Sequence, residues 1–151
     1  MARRGPIHQQ VSSRKAPKPV GAYSQAVLVE SPGATLYVSG QIPIEVPSGN
    51  VFTGDIKRQA EIAFNHLRNI VQDAGFHLDE VLKCTIFLTN MDDFQTVNEV
   101  YSRFFVGGSL PARAAVEVSG LPKGGGVEVE AIAVKKAQVS DDAFADMAGF
   151  R

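Results

Sequence analysis

Arg113, Glu128 and Glu130 are the residues of this chain whose types and settings call for chemistry. They fall in the stretch 109–136, where a loop ending at Pro111 leads into a strand over 112–118, a turn carrying Gly124, Gly125 and Gly126, and a strand over 127–135. A period of two puts Ala112, Ala114, Val116 and Val118 on one face of the first strand and Arg113, Ala115 and Glu117 on the other. In the second strand Glu128, Glu130, Ile132 and Val134 stand opposite Val127, Val129, Ala131 and Ala133, so two carboxylates sit in an apolar run. Two roles are open to Arg113. It could pair across strands with Glu117, Glu128 or Glu130, an interaction of little worth if exposed. Alternatively, its planar, permanently charged guanidinium grips a substrate carboxylate while a glutamate handles protons on a water.

The rest of the chain must position these groups. Strands are expected over 25–30 and 35–39, joined as a hairpin through the turn signal Ser31, Pro32 and Gly33. Tyr23 precedes the first as a rim aromatic packing on the sheet or a polar contact in a pocket; Ser39-Gly40-Gln41 ends the second, where Gly40 would let backbone approach a ligand closely. Ser39 lacks the glycine-flanked pattern of a hydrolase serine. Asp55 caps a helix whose apolar positions run from Ile56 through Ala60, Ala63, Leu67, Ile70 and Val71 to Ala74, with Gly75 and Phe76 at its stop. A strand follows over 81–89, then Asn90 caps a second helix with the core stripe Phe94, Val97, Tyr101, Phe104 and Phe105. Asn98 lies beside that stripe, as a surface residue or one reaching the edge of a site. The turn 123–126 lacks the ending and context of a phosphate loop and is expected to close a β-hairpin. Past Lys136, Ser140 with Asp141 and Asp142 could start a short helix bearing Phe144, Met147 and Ala148 and ended by Gly149.

With 151 residues, 44% of them hydrophobic, and no apolar run of membrane-spanning length, the chain is expected to form one soluble domain. A net charge of −1 gives no electrostatic footprint for nucleic acid. The single Cys84 excludes an internal disulfide, fits a reducing compartment and alternates with strand apolars, which marks it as a buried structural thiol. His8, His66 and His77 have no ligand spacing, and no metal site is expected. Residues 1–18 carry five basic side chains, with no acidic residue before Glu30. Their composition is like a transit segment's, but Pro6, Pro17 and low apolar content favour a solvated basic tail. The expected division is therefore a basic extension over 1–15, a domain over 16–136 and a further extension over 137–151.

Five motifs in order make a specific signal: Gly21-Ala22-Tyr23-Ser24-Gln25, Val38-Ser39-Gly40-Gln41-Ile42-Pro43, Asp93-Phe94-Gln95-Thr96-Val97-Asn98, Pro111-Ala112-Arg113, and Val127-Glu128-Val129-Glu130-Ala131-Ile132-Ala133. With their strand and helix order they resemble the RidA family, also called YjgF, the reactive-intermediate deaminases. The resemblance implies a chorismate-mutase-like α+β domain, a mixed sheet with two helices packed on one face. It also implies a homotrimer with a barrel-like centre and sites in clefts between subunits. By that resemblance Arg113 is the carboxylate-binding residue and Glu128 the water-activating one, with Tyr23, Ser39, Gly40 and Asn98 lining the pocket. Where relatives often carry Cys, two residues after the arginine, this chain has Ala115. If Val118 paired opposite Val127 in a simple hairpin, Arg113 would sit too far from Glu128 for one small substrate; a site shared between subunits removes that difficulty.

The implied activity is cofactor-free hydrolysis of 2-imino or 2-enamino acids, such as 2-aminoacrylate, to 2-keto acids and ammonia, a protection against metabolite damage. A cytoplasmic location goes with it, or a mitochondrial one if the basic start is a transit segment. Its rivals are an RNA-binding or endoribonuclease-type inhibitor of translation, against which the near-neutral charge stands, and a non-catalytic trimeric binding or chaperone-like protein.

Overall fold

The computed structural model describes residues 8–30, 32–107 and 110–137. Helix α1, Ile56–Asp73, begins where the Asp55 carboxylate accepts the Arg58 N–H at 3.0 Å, satisfying one of the orphan donors of the first turn. It stops at Gly75, whose φ of 81° carries the chain into the left-handed region. There the Gly75 N–H donates to the Gln72 carbonyl and the Phe76 N–H to the Val71 carbonyl, the paired bonds of a glycine helix stop. Asn90 caps a 3₁₀ turn, Met91–Asp93, which runs directly into helix α2, Phe94–Phe104.

Strands β1, Gln9–Val11, and β2, Ala26–Leu28, form a separate antiparallel pair. The main sheet contains β3, Pro32–Gln41, β4, Val81–Leu88, β5, Ala112–Glu117, and β6, Val127–Lys136, in the order β3-β6-β4-β5. The β4–α2–β5 crossover makes β4 and β5 parallel, whereas β6 is antiparallel to both β3 and β4. Both helices cover one face. Phe64 and Leu67 of α1 and Val97 and Tyr101 of α2 pack in a single core with Val38, Cys84, Ile86, Leu88, Val127 and Val129 of the sheet. The opposite face has no layer over it among the described residues. It presents Tyr37, 75% exposed, with a shallow depression lined by Ser39, Lys83, Thr85, Glu130 and Ile132. The expected mixed sheet with two helices on one face is thus present. Among the described residues no helix is long and apolar enough to cross a membrane.

Several expectations need correction. The strand over 25–30 does not form a hairpin with the next: β2 pairs with β1 and β3 pairs with β6. Part of the expected basic tail, residues 9–11, therefore forms a strand, and His8 beside it is buried. Nor do β5 and β6 form a hairpin, because β4 lies between them. Their connection runs through a 3₁₀ turn, Pro122–Gly124, and Val118 N–H still donates to the Leu88 carbonyl, extending the parallel ladder before the chain crosses. Stepping over one strand needs about 10 Å, within reach of the residues between β5 and β6. The C-terminal helix expected from Ser140 lies outside the described residues.

Candidate active site

Arg113 sits on edge strand β5, in register with Cys84 of β4. Since Cys84 is fully buried, the Arg113 face is the helix-covered one, and Val116, on the opposite face, is 41% exposed. The guanidinium thus enters the rim of the core beneath α2. Its Cζ lies 4.7 Å from the Tyr101 ring centroid, 5.5 Å from Tyr23 and 5.6 Å from Phe94. One terminal nitrogen, Nη1, donates to Asn98 Oδ1. Helical spacing explains the constellation: Phe94, Asn98 and Tyr101 recur at four and three residues, so they share one face of α2. Tyr23 arrives from the loop before β2, which the Ser24 N–H anchors to the Pro111 carbonyl at 3.3 Å, while the Tyr23 hydroxyl accepts the Val20 N–H at 3.2 Å. Of the alternatives for Arg113, the cross-strand ion pair is not formed: among the described residues the ion pairs join Arg58 and Arg103 to Glu61. Glu117 instead accepts the Met91 N–H.

Glu128 belongs to the other face. It stands in register with Phe87 of β4, between the buried Val127 and Val129, and so projects from the open side of the sheet. Its carboxylate lies against Gly40: a Cβ built on that glycine would fall 1.8 Å from Glu128 Oε1 and 2.7 Å from its Cδ. The close approach comes from an irregularity in the β3–β6 ladder. Val38 pairs with Ala131 and Gln41 with Val129, so Ser39 and Gly40 together oppose the single residue Glu130. This is a β-bulge, the device that re-aims strand residues beside functional sites. Just before β6 the chain is tied down by Gln59, a buried amide whose Oε1 accepts the Gly126 N–H at 2.8 Å while its Nε2 donates to the Gly54 carbonyl at 2.9 Å.

The six candidate residues are therefore brought together as two groups. Arg113, Asn98 and Tyr23 meet on the helix side at the β5 edge; Glu128, Ser39 and Gly40 meet on the open side at the β3–β6 ladder. Within one chain the groups face opposite ways. Sequence reasoning placed Tyr101 and Phe94 in the core stripe and missed that their rings hold a cation; it also missed Gln59. The signal for the rings was available in their spacing around Asn98.

Beneath Arg113, burial pushes the Cys84 thiol up to about 12, although the arginine pulls the other way. Burial likewise raises the Tyr101 hydroxyl. Both stay neutral, which suits structural roles. Among the described residues no group of three His, Cys, Asp or Glu side chains could hold a metal ion.

A family model described as endoribonuclease L-PSP matches residues 13–135. The chain belongs to this family, also called YjgF or RidA. Among its relatives, the chain is 47% identical to a RutC family protein of Pyrococcus abyssi, over 83% of this chain and 96% of the relative. It is 46% identical to the 2-iminobutanoate/2-iminopropanoate deaminase of Rattus norvegicus, over 85% and 91%. Its fold is similar to the crystal structure of E. coli TdcF with bound serine, with a TM-score of 0.65 and 35% identity over 85% of this chain and 99% of that one. The RidA family core thus spans all four strands of the main sheet and both groups of candidate residues.

Proposed function

We propose that this RidA family member is a homotrimeric, cofactor-free hydrolase of reactive 2-imino and 2-enamino acids, yielding 2-keto acids and ammonia. The observation that carries the proposal is the pair of half-sites: a restrained arginine on one face and a restrained carboxylate on the other, which a second copy of the chain would complete. The names of the deaminase relatives support the same chemistry. The uncovered sheet face, with exposed Tyr37 and Val116, supports burial against other copies.

In this mechanism Arg113 of one copy takes the substrate carboxylate in two parallel N–H···O bonds. Glu128 of a neighbouring copy removes a proton from a water as its oxygen bonds to the imine carbon and passes that proton to the imine nitrogen, giving the carbinolamine. Glu128 then takes the hydroxyl proton and delivers it to the nitrogen as the C–N bond breaks, so that ammonia departs, the carbonyl forms and the carboxylate is regenerated. Ser39 and the Gly40 N–H orient the water or substrate, and Tyr23 closes the side of the pocket. Imine hydrolysis is easy without a catalyst, so positioning and modest proton transfer suffice. A near-neutral chain of net charge −1 favours a small anionic substrate over RNA.

The test generates imino acids in situ with an amino-acid oxidase and traps them with semicarbazide. The wild-type protein is expected to suppress semicarbazone formation and Arg113→Ala, still trimeric, is not. Failure of the wild type to suppress trapping across several side chains would exclude imine hydrolysis.

A further inference from the structure

Arg113 carries its charge without an anionic partner. Among the described residues no carboxylate pairs with it; its neighbours are three ring faces and one amide oxygen. A carboxylate partner would neutralise the guanidinium and occupy the in-plane donors that a ligand needs. Ring faces attract the cation through their quadrupole and take up none of its N–H donors. Asn98 takes Nη1 alone. On the Nη2 side stands Gly21, where a side-chain Cβ would lie 3.5 Å from that nitrogen, so the absence of a side chain keeps the approach open.

Of the three rings, Tyr101 is the nearest at 4.7 Å and is fully buried. Phe64 meets it edge-on at 5.8 Å and Phe105 packs at 4.7 Å, so its plane is fixed by the core. Its hydroxyl has no hydrogen-bond partner among the described residues, an arrangement that costs stability and that a phenylalanine would avoid.

We infer that Tyr101 is a positioning residue for Arg113: its ring face, not its hydroxyl, holds the guanidinium flat and leaves its outward edge free for a carboxylate ligand. The identity of that ligand rests on the imino-acid chemistry proposed above, but the positioning does not.

Two measurements test this on the full-length protein. The first is the Nε–H resonance of Arg113 in a nitrogen-15 spectrum, assigned by its loss in Arg113→Lys. In the wild type it is expected to be shifted by the ring current and protected from exchange. Tyr101→Phe should preserve both properties, and Tyr101→Leu should abolish them. The second is the trapping assay, in which Tyr101→Leu is expected to raise KM about five- to thirtyfold, the range of a partly desolvated cation–π contact, with kcat little changed and Tyr101→Phe restoring wild-type values. If the leucine variant does not fold, Tyr101→Met, which fills the volume without a π face, takes its place. An Arg113 resonance unmoved in a folded ring-less variant overturns the inference, as does loss of the signal in Tyr101→Phe. A wild type that hydrolyses no imine would sink the proposed function while the resonance still decides the role of Tyr101.

Discussion

Gly40→Ala offers the most direct probe of how Glu128 is placed. The alanine Cβ would lie 1.8 Å from Glu128 Oε1, where contacts below 3.0 Å are not sustained. The oxygen must therefore retreat by roughly 1.2 Å, the difference between those values, and the Cδ at 2.7 Å must move with it. A misplacement of about 1 Å in a catalytic group costs on the order of 100-fold in rate, so kcat in the trapping assay is expected to fall by about that factor. Stability should barely change. Gly40 lies outside the left-handed region occupied by Gly49, Gly75, Gly107 and Gly124, and an alanine there lowers unfolded-state entropy by an amount worth about 0.4–1 kcal/mol, offsetting the cost of displacing a half-buried side chain. KM should also hold, because Arg113 is untouched. In a Glu128→Ala background the same substitution should change the residual rate by less than about twofold, since neighbours that act through one contact are non-additive. Wild-type turnover by Gly40→Ala would refute the reasoning, and so would an equal loss in the Glu128→Ala background.

Two further outcomes follow from the same geometry. Asn98→Ala removes the hydrogen bond to the guanidinium, a charge-assisted bond of about 1.5–3 kcal/mol, and should raise KM by an order of magnitude or more in the same assay without altering the thermal midpoint of α2 packing; an unchanged KM would show that the rings alone restrain Arg113. Cys84 has a folded pKa of about 12 against an ordinary value of 9.0, so its contribution to stability is complete below pH 9 and is lost as pH rises toward 12. Urea midpoints should therefore fall over that window, less steeply in Cys84→Ala, and a thiol reagent at pH 8 should label Cys84 only after unfolding.

How far the sequence carried differed from element to element. The ends of α1 were legible because Asp55 and Gly75 act on adjacent backbone groups and need no tertiary partner. The inward face of β6 was legible because Val127, Val129, Ala131 and Ala133 contrast with Glu128 and Glu130. Strand partners were not, since alternation describes one strand and pairing depends on which strands the helices bury. For β5 even the inward face was obscure: alanine at positions 112, 114 and 115 gives its two sides little hydrophobic contrast, and the aromatic rings that draw Arg113 inward belong to other segments. The resemblance singled out the candidate residues from their motifs, but the bulge at Ser39 and Gly40 and the buried amide of Gln59 are visible only in the folded chain. Neither leaves a period in the sequence.

Arg113 and Glu128 leave the same sheet on opposite sides. In the proposed assembly no chain owns a whole site; each lends an arginine to one neighbour and a carboxylate to the other. A defect in one chain would then strike a site shared with a neighbour. Chains lacking Arg113 and chains lacking Glu128, each without a working site when alone, would on mixing rebuild a share of whole sites wherever the arginine of one meets the carboxylate of the other.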